Sequence, residues 1–198
     1  MAQTASLEVL QLKIVLDQIV PAIWRRMLIP ASFSLAKLHD AIQIAFGWDD
    51  SHLHVFTIHG RDFGPVDSEG DGNKRSERIA LTKLKLIPKT KFRYEYDFGD
   101  SWIHEITVEK VLAPKELVLV PVCIEGKRAC PPEDCGGPWG YENMLEAAKD
   151  PKHPEHGEIM EWLGSDWDPE AIQLDVVNAS LEEVFKPRRH AIIGEVPK

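Results

Sequence analysis

Cysteine is scarce in this sequence, with three residues, Cys123, Cys130 and Cys135, in a chain of 198. An odd number of thiols cannot all pair within one chain, and disulfides are rare in reducing compartments. Residues 1–6 lack the basic and apolar segments of a secretory signal, so export is not expected. We therefore predict free thiols and a cytoplasmic protein.

Long apolar runs and excess positive charge are missing as well. No run of about 18 apolar residues occurs, which argues against a membrane-spanning helix and a membrane partner. The chain has 23 Lys and Arg against 32 Asp and Glu, a formal net charge of -9. Nucleic-acid binding draws most of its affinity from basic side chains that neutralise phosphates. The charge balance therefore argues against nucleic acid as the partner.

What is present is the composition of a globular protein, with 43% hydrophobic and 28% charged residues. A chain of this length can bury a substantial core. No internal repeat or long linker divides it. The sequence therefore predicts a single domain over 1–198, with 186–198 as a C-terminal tail.

Hydrophobic periodicity predicts strands first and helices last. Alternating residues indicate strands, and apolar residues three or four apart indicate helices. We predict strands at 10–16, 23–29, 52–59 and 117–122; a hairpin over 91–111 that turns at 97–100; loops at 60–78 and 123–140; a helix from the N-cap Ser34 to Gly47; helices at 141–149 and 154–163; a helix start at Asp168; and a last helix at 174–185. This order predicts an α+β fold with a mostly antiparallel sheet packed with helices and a helical C-terminal third.

Polar and aromatic side chains are concentrated in the 52–58 strand and the 92–108 hairpin. His52 and His54 are two residues apart on a predicted strand, so both are expected on one face. We predict that these stretches form an aromatic and histidine-lined cleft, whose centre is the surface they share. Its predicted binding residues are Trp48, His52, His54, Tyr96, Asp97, Asp100, Trp102 and His104.

A metal site is one interpretation of this cleft. Imidazoles with a carboxylate suit divalent transition metals such as Zn²⁺, Fe²⁺ or Mn²⁺. The predicted ligands are His52, His54, Asp100 and His104. The alternative interpretation is that these histidines form hydrogen bonds within a polar, aromatic sheet surface.

Other motifs have two interpretations each. Asp97-Phe98-Gly99 copies a kinase tripeptide, but the other kinase motifs are missing, so we predict a turn in which Gly99 is free to take a positive φ. Glu133-Asp134 is either an acid and base pair or a structural pair that caps a helix or binds an arginine.

Cys130 and Cys135 with His153 and His156 could hold zinc, although their spacing is poor, and plain thiols are the alternative. Arg25 and Arg26 are expected to face opposite sides of a strand, so only one can point at a given ligand.

Several phrases taken together resemble the plasmid pRiA4b ORF-3-like family. They are PAIWRR at 21–26, LH at 38–39 before FGW at 46–48, HLHVF at 52–56, YDFGDSWIH at 96–104, and PPEDCGG at 131–137 before GY at 140–141. The match covers about 7–185, and Ala22 departs from it where the family more often has a second Pro. The resemblance implies an α+β fold in a bacterial or archaeal setting, sometimes on plasmids or beside transposons. It implies no established activity or catalytic residue, although some members carry a resolvase-like label.

Three functions compete at this point. The first is a non-catalytic binding or accessory module that uses the cleft and is linked to mobile elements. The second is a metal-dependent hydrolase that uses the histidine and aspartate set. The third is a DNA recombination accessory factor, which the acidic charge and the small number of tyrosines, three, disfavour.

Overall fold

The computed structural model of the protein describes residues 8–65, 76–113, 120–164 and 167–186. These residues form a seven-stranded sheet in the order β4-β3-β5-β6-β1-β2-β7, in which every neighbouring pair is antiparallel. The strands are β1 Val9–Leu16, β2 Trp24–Pro30, β3 His54–Ile58, β4 Arg61–Phe63, β5 Lys91–Tyr96, β6 Trp102–Leu112 and β7 Val122–Lys127; the helices are α1 Leu35–Phe46, α2 Gly137–Lys149, α3 His156–Leu163 and α4 Leu174–Phe185. The predicted α+β class, antiparallel sheet and helical C-terminal third are confirmed.

One face of the sheet, here called the inner face, packs with the helices in a single hydrophobic core. Alternate residues of β6 are buried, as period-2 side-chain geometry requires. Tyr94, Tyr96 and Trp102 are the largest fully buried side chains there. Burying apolar surface stabilises a fold by about 25 cal/mol per Å², so each of these large rings contributes several kcal/mol.

Helix α1 begins and ends where its sequence predicts. The hydroxyl of Ser34 accepts a hydrogen bond from the N–H of Lys37, which satisfies a free donor of the first turn. Gly47 follows the last turn with φ 79°, a conformation that costs glycine little. The helix buries Leu35, Leu38 and Ile42 against the sheet.

The hairpin of β5 and β6 turns at the predicted residues, with Tyr96 opposite Trp102. The backbone N–H of Ser101 donates to the carbonyl of Asp97, and the N–H of Gly99 donates to the Asp97 carboxylate at 2.9 Å. Asp97 and Ser101 have positive φ, whereas Gly99 does not. The predicted turn is confirmed, but it does not use the freedom of Gly99 to take a positive φ, because the Asp97 side chain stabilises the turn.

Several predicted boundaries are also wrong. The strand expected at 117–122 is β7, which runs from Val122 to Lys127, and 114–119 lie outside the described residues. The loop expected at 60–78 contains β4, while 66–75 lie outside the described residues. Asp168 starts no helix: its carboxylate accepts the N–H of Glu170 in a turn, and α4 begins at Leu174.

Helix α4 packs beside β7. The side-chain amide of Asn178 accepts the backbone N–H of Cys123 at 2.8 Å and donates to its carbonyl at 3.0 Å. The two bonds fix α4 against the last strand of the sheet. Among the helices that the structure describes, none is both long and apolar enough to cross a membrane.

Candidate functional site

Three segments that are distant in sequence meet at one end of the sheet: the connection from α1 to β3, the turn between β5 and β6, and the loop before α2. The N–H of Asp97 donates to the carbonyl of Leu53 at 2.9 Å. The N–H of Gly136 donates to the carboxylate of Asp100 at 3.0 Å. These bonds hold the three segments together, so their polar side chains face one another.

His52 lies at the centre of this meeting point, surrounded by carboxylates. Its Nε2 is 3.0 Å from Oδ1 of Asp134 and 4.0 Å from Oε2 of Glu133, and its Nδ1 is 3.8 Å from Oδ1 of Asp97. One ligand atom from each of His52, Asp97 and Asp134 lies within 4.8 Å of the other two. We call these four residues, His52, Asp97, Glu133 and Asp134, the His52 site.

Glu133 is held in place through only one of its two oxygens. Its Oε1 accepts the N–H of Asp49 and the hydroxyl of Tyr96, both at 3.0 Å. Its Oε2 is buried and has no hydrogen-bond partner among the described residues, and Nε2 of His52, although 3.0 Å from Oδ1 of Asp134, forms no aligned hydrogen bond with it. Burial raises the pKa of the Glu133 carboxyl and, together with Glu133, the pKa of the Tyr96 hydroxyl. Nε2 of His52 and Oε2 of Glu133 therefore lie 4.0 Å apart without an aligned hydrogen bond to either atom from the described part of the chain.

A second histidine cluster lies on the inner face between α1 and β3. The amide N–H of Gln43 donates to the Tyr94 hydroxyl at 2.9 Å, and that hydroxyl lies 2.7 Å from Nδ1 of His39. Nε2 of His39 lies 2.8 Å from Oδ1 of Asp50. A neutral His39 ring therefore accepts from Tyr94 and donates to Asp50. We call this arrangement the His39 network.

His54 stacks on the His39 network rather than completing a metal site with it. The rings of His39 and His54 are 3.6 Å apart and nearly parallel, at 11°. Imidazole lone pairs lie in the ring plane, so two parallel rings cannot both aim at one ion, even though ligand atoms of His39, Asp50 and His54 lie close together. Burial, followed by the neighbouring His39, lowers the pKa of His54 to about 3, so the ring is neutral at physiological pH. Its Nε2 is 3.5 Å from Glu77.

The structure does not bring the four predicted metal ligands together. His52 lies in the His52 site, and His54 stacks on the His39 network. Asp100 uses its carboxylate to hold Gly136. His104 is fully buried between Phe46, Trp48 and Tyr94, and its Nδ1 lies 3.1 Å from the carbonyl of Trp102.

The aromatic residues of the predicted cleft lie in the core. Trp48 stacks on Tyr96 with ring centroids 5.0 Å apart and packs beside Trp102. All three are buried in the core, so they do not line an open cleft. Leu53 and Phe98 are exposed apolar side chains on the meeting segments, and Trp139 in the first turn of α2 is 80% exposed.

Sequence reasoning missed the partners of the histidines. The sequence marks Glu133-Asp134 as a motif but does not join it to His52, and among the described residues neither carboxylate caps a helix or binds an arginine. His39 and Asp50 were not considered. The signals for them were a histidine on the apolar face of the α1 pattern and the acidic residues just before His52.

The remaining predicted clusters do not form sites in the described residues. No cysteine belongs to either histidine–carboxylate group. His156 approaches the carbonyl of Ala147 through its Nδ1, and all three cysteines are unpaired. Arg25 and Arg26 face opposite sides, as predicted: Arg26 binds Glu109 and Glu125, while Arg25 is buried.

One surface pocket lies away from the His52 site. It measures about 910 Å³ and is lined by both basic and acidic side chains of the sheet, including Arg26, Lys91, Lys110 and Glu109. Mixed, solvated charge is usual on the open face of an antiparallel sheet. An ion is held by converging donor atoms and needs no large cavity, so the candidate site is the His52 site and not this pocket.

Comparison with known proteins agrees with the motifs noted in the sequence. Residues 8–176 match the family described as plasmid pRiA4b ORF-3-like protein. Uncharacterized protein y4hQ of Sinorhizobium fredii (strain NBRC 101917 / NGR234) is 39% identical over 181 residues, 89% of this chain and 92% of that protein. A crystal structure of MM3350, a protein of unknown function from Methanosarcina mazei Go1, is 38% identical with a TM-score of 0.72, covering 85% of this chain and 96% of that one. The chain thus belongs to the plasmid pRiA4b ORF-3-like family.

Proposed function

We propose that the protein is a binding module whose ligand is a divalent transition-metal ion held at the His52 site. The observation that carries the proposal is that Oε2 of Glu133 is buried without a hydrogen-bond partner in the described residues and lies 4.0 Å from Nε2 of His52, whose contact with Oδ1 of Asp134 at 3.0 Å is not aligned as a hydrogen bond. Leaving a buried polar atom unpaired costs about 1–3 kcal/mol, so this arrangement favours an ion that these donor atoms can bind together. Two donors bonded to one ion at about 2.0–2.2 Å lie roughly 3–4 Å apart, which agrees with this spacing.

The donor set supports an ion of intermediate hardness. One imidazole and three carboxylates are available, from His52, Asp97, Glu133 and Asp134. Imidazole favours Zn²⁺ or Fe²⁺, and carboxylate oxygen favours Mn²⁺, so the combination suits this group of metals. Three carboxylates around one imidazole repel one another when ionised, and a divalent cation offsets that repulsion.

The surroundings of Glu133 resemble the outer shell of a metal site. Tyr96 and the N–H of Asp49 both bind its Oε1, which leaves Oε2 free to act as a ligand. Such outer partners orient ligands, and their removal typically weakens metal binding by about 10–100-fold. Trp48 in turn stacks on Tyr96, so the core fixes the ring that carries the hydroxyl.

Calorimetric titration of untagged, EDTA-treated protein with Zn²⁺ and Mn²⁺ tests the proposal. We expect one ion per chain in the wild type and weakening by at least about tenfold in His52→Asn and Glu133→Gln. Tyr96→Phe should weaken binding within the range expected for an outer partner. His153→Asn, the same substitution on the loop between α2 and α3, is the matched control and should bind as the wild type does.

Stability of the metal-free protein separates a ligand role from a structural one. Glu133→Gln keeps the oxygen that accepts from Tyr96 and Asp49 but removes the negative charge of a carboxylate whose Oε2 is buried. We expect thermal unfolding of metal-free Glu133→Gln to show stability equal to the wild type or higher by about 1 kcal/mol. A large loss of stability together with unchanged metal affinity would show that Glu133 is structural and would refute the proposal.

A further inference from the structure

Arg25 is a buried cation without a buried anion. The residue is 3% exposed, and within the part of the chain that the structure describes no carboxylate lies within 4.0 Å of its guanidinium. Arg128 is equally buried at 3%, but it pairs with Glu170 at 2.8 Å. Burial lowers the pKa of Arg25 from its ordinary value, as expected for a charge taken out of water.

Backbone carbonyls satisfy only part of the guanidinium. Its Nε donates to Ala45 at 2.8 Å, and its Nη1 donates to Trp24 at 2.9 Å and Lys127 at 3.1 Å. An arginine has five N–H groups, so the two on Nη2 have no bond among the described residues. The carbonyl of Ala45 belongs to the last turn of α1, whose partial negative charge offsets some of the burial cost. A carbonyl carries no full charge, so the guanidinium still lacks an ionic partner.

The guanidinium lines a pocket of about 250 Å³ between the end of α1 and the start of α4. Most of its walls are apolar. The lining includes Arg25, Phe46, Trp167, Ile172, Val176 and Val177. The guanidinium carbon lies 5.0 Å from the centre of the Phe46 ring, which holds its plane in position.

Helix α4 adds a second positive element to the same pocket. Val176 and Val177 of its first turn line the wall, and no side chain caps this helix end, since Gln173 makes no capping bond. The first N–H groups of a helix carry partial positive charge. Two acidic residues lie close to this pocket. Asp168 lines it from an exposed turn, in which its carboxylate accepts the N–H of Glu170. Asp175 lies in the first turn of α4. These acids disfavour a multiply charged anion.

We propose that this pocket binds a small organic carboxylate, with its single negative charge on Nη2 of Arg25 and its apolar body against Trp167 and Ile172. The size is below the roughly 300–1,000 Å³ of pockets for drug-sized ligands, which favours a compact molecule. Guanidinium and carboxylate form charge-assisted hydrogen bonds that are stronger than neutral ones. The inference is independent of the His52 site, because no residue is shared between them.

Benzoate, the neutral isostere benzamide and inorganic phosphate are suitable probes in amide chemical-shift titrations of ¹⁵N-labelled protein. We expect benzoate to shift the amides of Ala129, Ala171, Ile172 and Val177 at millimolar concentrations. Benzamide should bind at least about tenfold more weakly, since it lacks the charge. Phosphate should leave these amides unchanged.

Two variants locate the binding. Arg25→Met should abolish the preference for benzoate over benzamide, and Arg26→Met, on the opposite face, should retain it. Because Arg25→Met removes three buried hydrogen bonds and can fail to fold, Ala171→Phe provides a second route: it fills the pocket, leaves Arg25 in place and should abolish the shifts. Equal binding of benzoate and benzamide, shifts by phosphate alone, benzoate binding that survives Ala171→Phe, or no shift with any probe would each overturn the proposal.

Discussion

At the scale of single residues, His104 makes the folded state sensitive to acid. Its ring is fully buried, its Nε2 has no hydrogen-bond partner, and burial lowers its pKa to about 3, with Arg25 on β2 adding a smaller effect in the same direction. An unfolded histidine titrates near 6.5. Between these two values the unfolded chain therefore binds a proton that the folded chain does not. The stability that neutral His104 provides is present above the unfolded pKa and is lost as the pH falls toward the folded one.

We predict that the free energy of unfolding falls below about pH 6.5, with a contribution from His104 of up to about 1.4 kcal/mol per pH unit. Urea denaturation at several pH values between 4 and 7 measures the slope. His104→Phe should reduce the slope of unfolding free energy against pH by the equivalent of about one bound proton, whatever its effect on absolute stability. Ile106→Val, a non-titrating change on the same face of β6, should lower stability by about 0.5–1.5 kcal/mol and keep the slope. An unchanged slope in His104→Phe would contradict the assignment.

At the scale of elements, the loop that carries Glu133 and Asp134 is fixed by its close approach to α2. The N–H of Gly140 donates to the carbonyl of Gly136 at 3.1 Å. A Cβ added at Gly140 would overlap with the carbonyl oxygen of Cys135, and one at Gly137 would overlap with that of Asp100. Glycine is required there because the backbones of two segments touch.

Substituting alanine at two helical glycines tests this contact. Gly140→Ala should destabilise the protein by about 1–3 kcal/mol or more, since backbone atoms must move. Gly157→Ala in α3 is the matched control: a Cβ there meets nothing within 4 Å, so the change should stabilise by about 0.4–1 kcal/mol. Thermal unfolding of the two variants decides between these signs. If Gly140→Ala is as stable as Gly157→Ala, the loop is not held by this approach.

At the scale of the whole molecule, one sheet connects all the elements. Strand β1 lies between β2 and β6, and a single core includes residues of α1, α2 and α4 together with the inner face. We therefore expect one cooperative unfolding transition, the behaviour of a single domain. Far-ultraviolet circular dichroism and tryptophan fluorescence should give the same midpoint in urea. Two separated midpoints would show that the C-terminal helices unfold independently of the sheet.

The sequence predicts the elements of this molecule better than its sites, for a physical reason. The alternation of β1 and the caps of α1 are local, and local patterns determine where such elements begin and end. The strand β7 is less visible, because Glu125, Gly126 and Lys127 interrupt its apolar pattern.

The candidate site depends on packing between distant segments. Periodicity places His54 on the inner face correctly, but it cannot show that His39 will stack on it across 15 residues of sequence. His52 precedes β3, so strand alternation does not determine its direction. Its partners Glu133 and Asp134 come about 80 residues later, and only the docking of their loop on Asp49 and Tyr96 brings them near.

The contact between Asn178 and Cys123 has a consequence for how copies of the protein meet in solution. The outer strand of an open sheet presents free N–H and C=O groups, which can recruit a strand from another molecule and begin aggregation. The amide of Asn178 makes the same pair of bonds that an incoming strand would make, in the first half of β7. One side chain of α4 thus occupies the backbone groups of Cys123 that a strand from another copy would need, so this part of the edge cannot start intermolecular strand pairing.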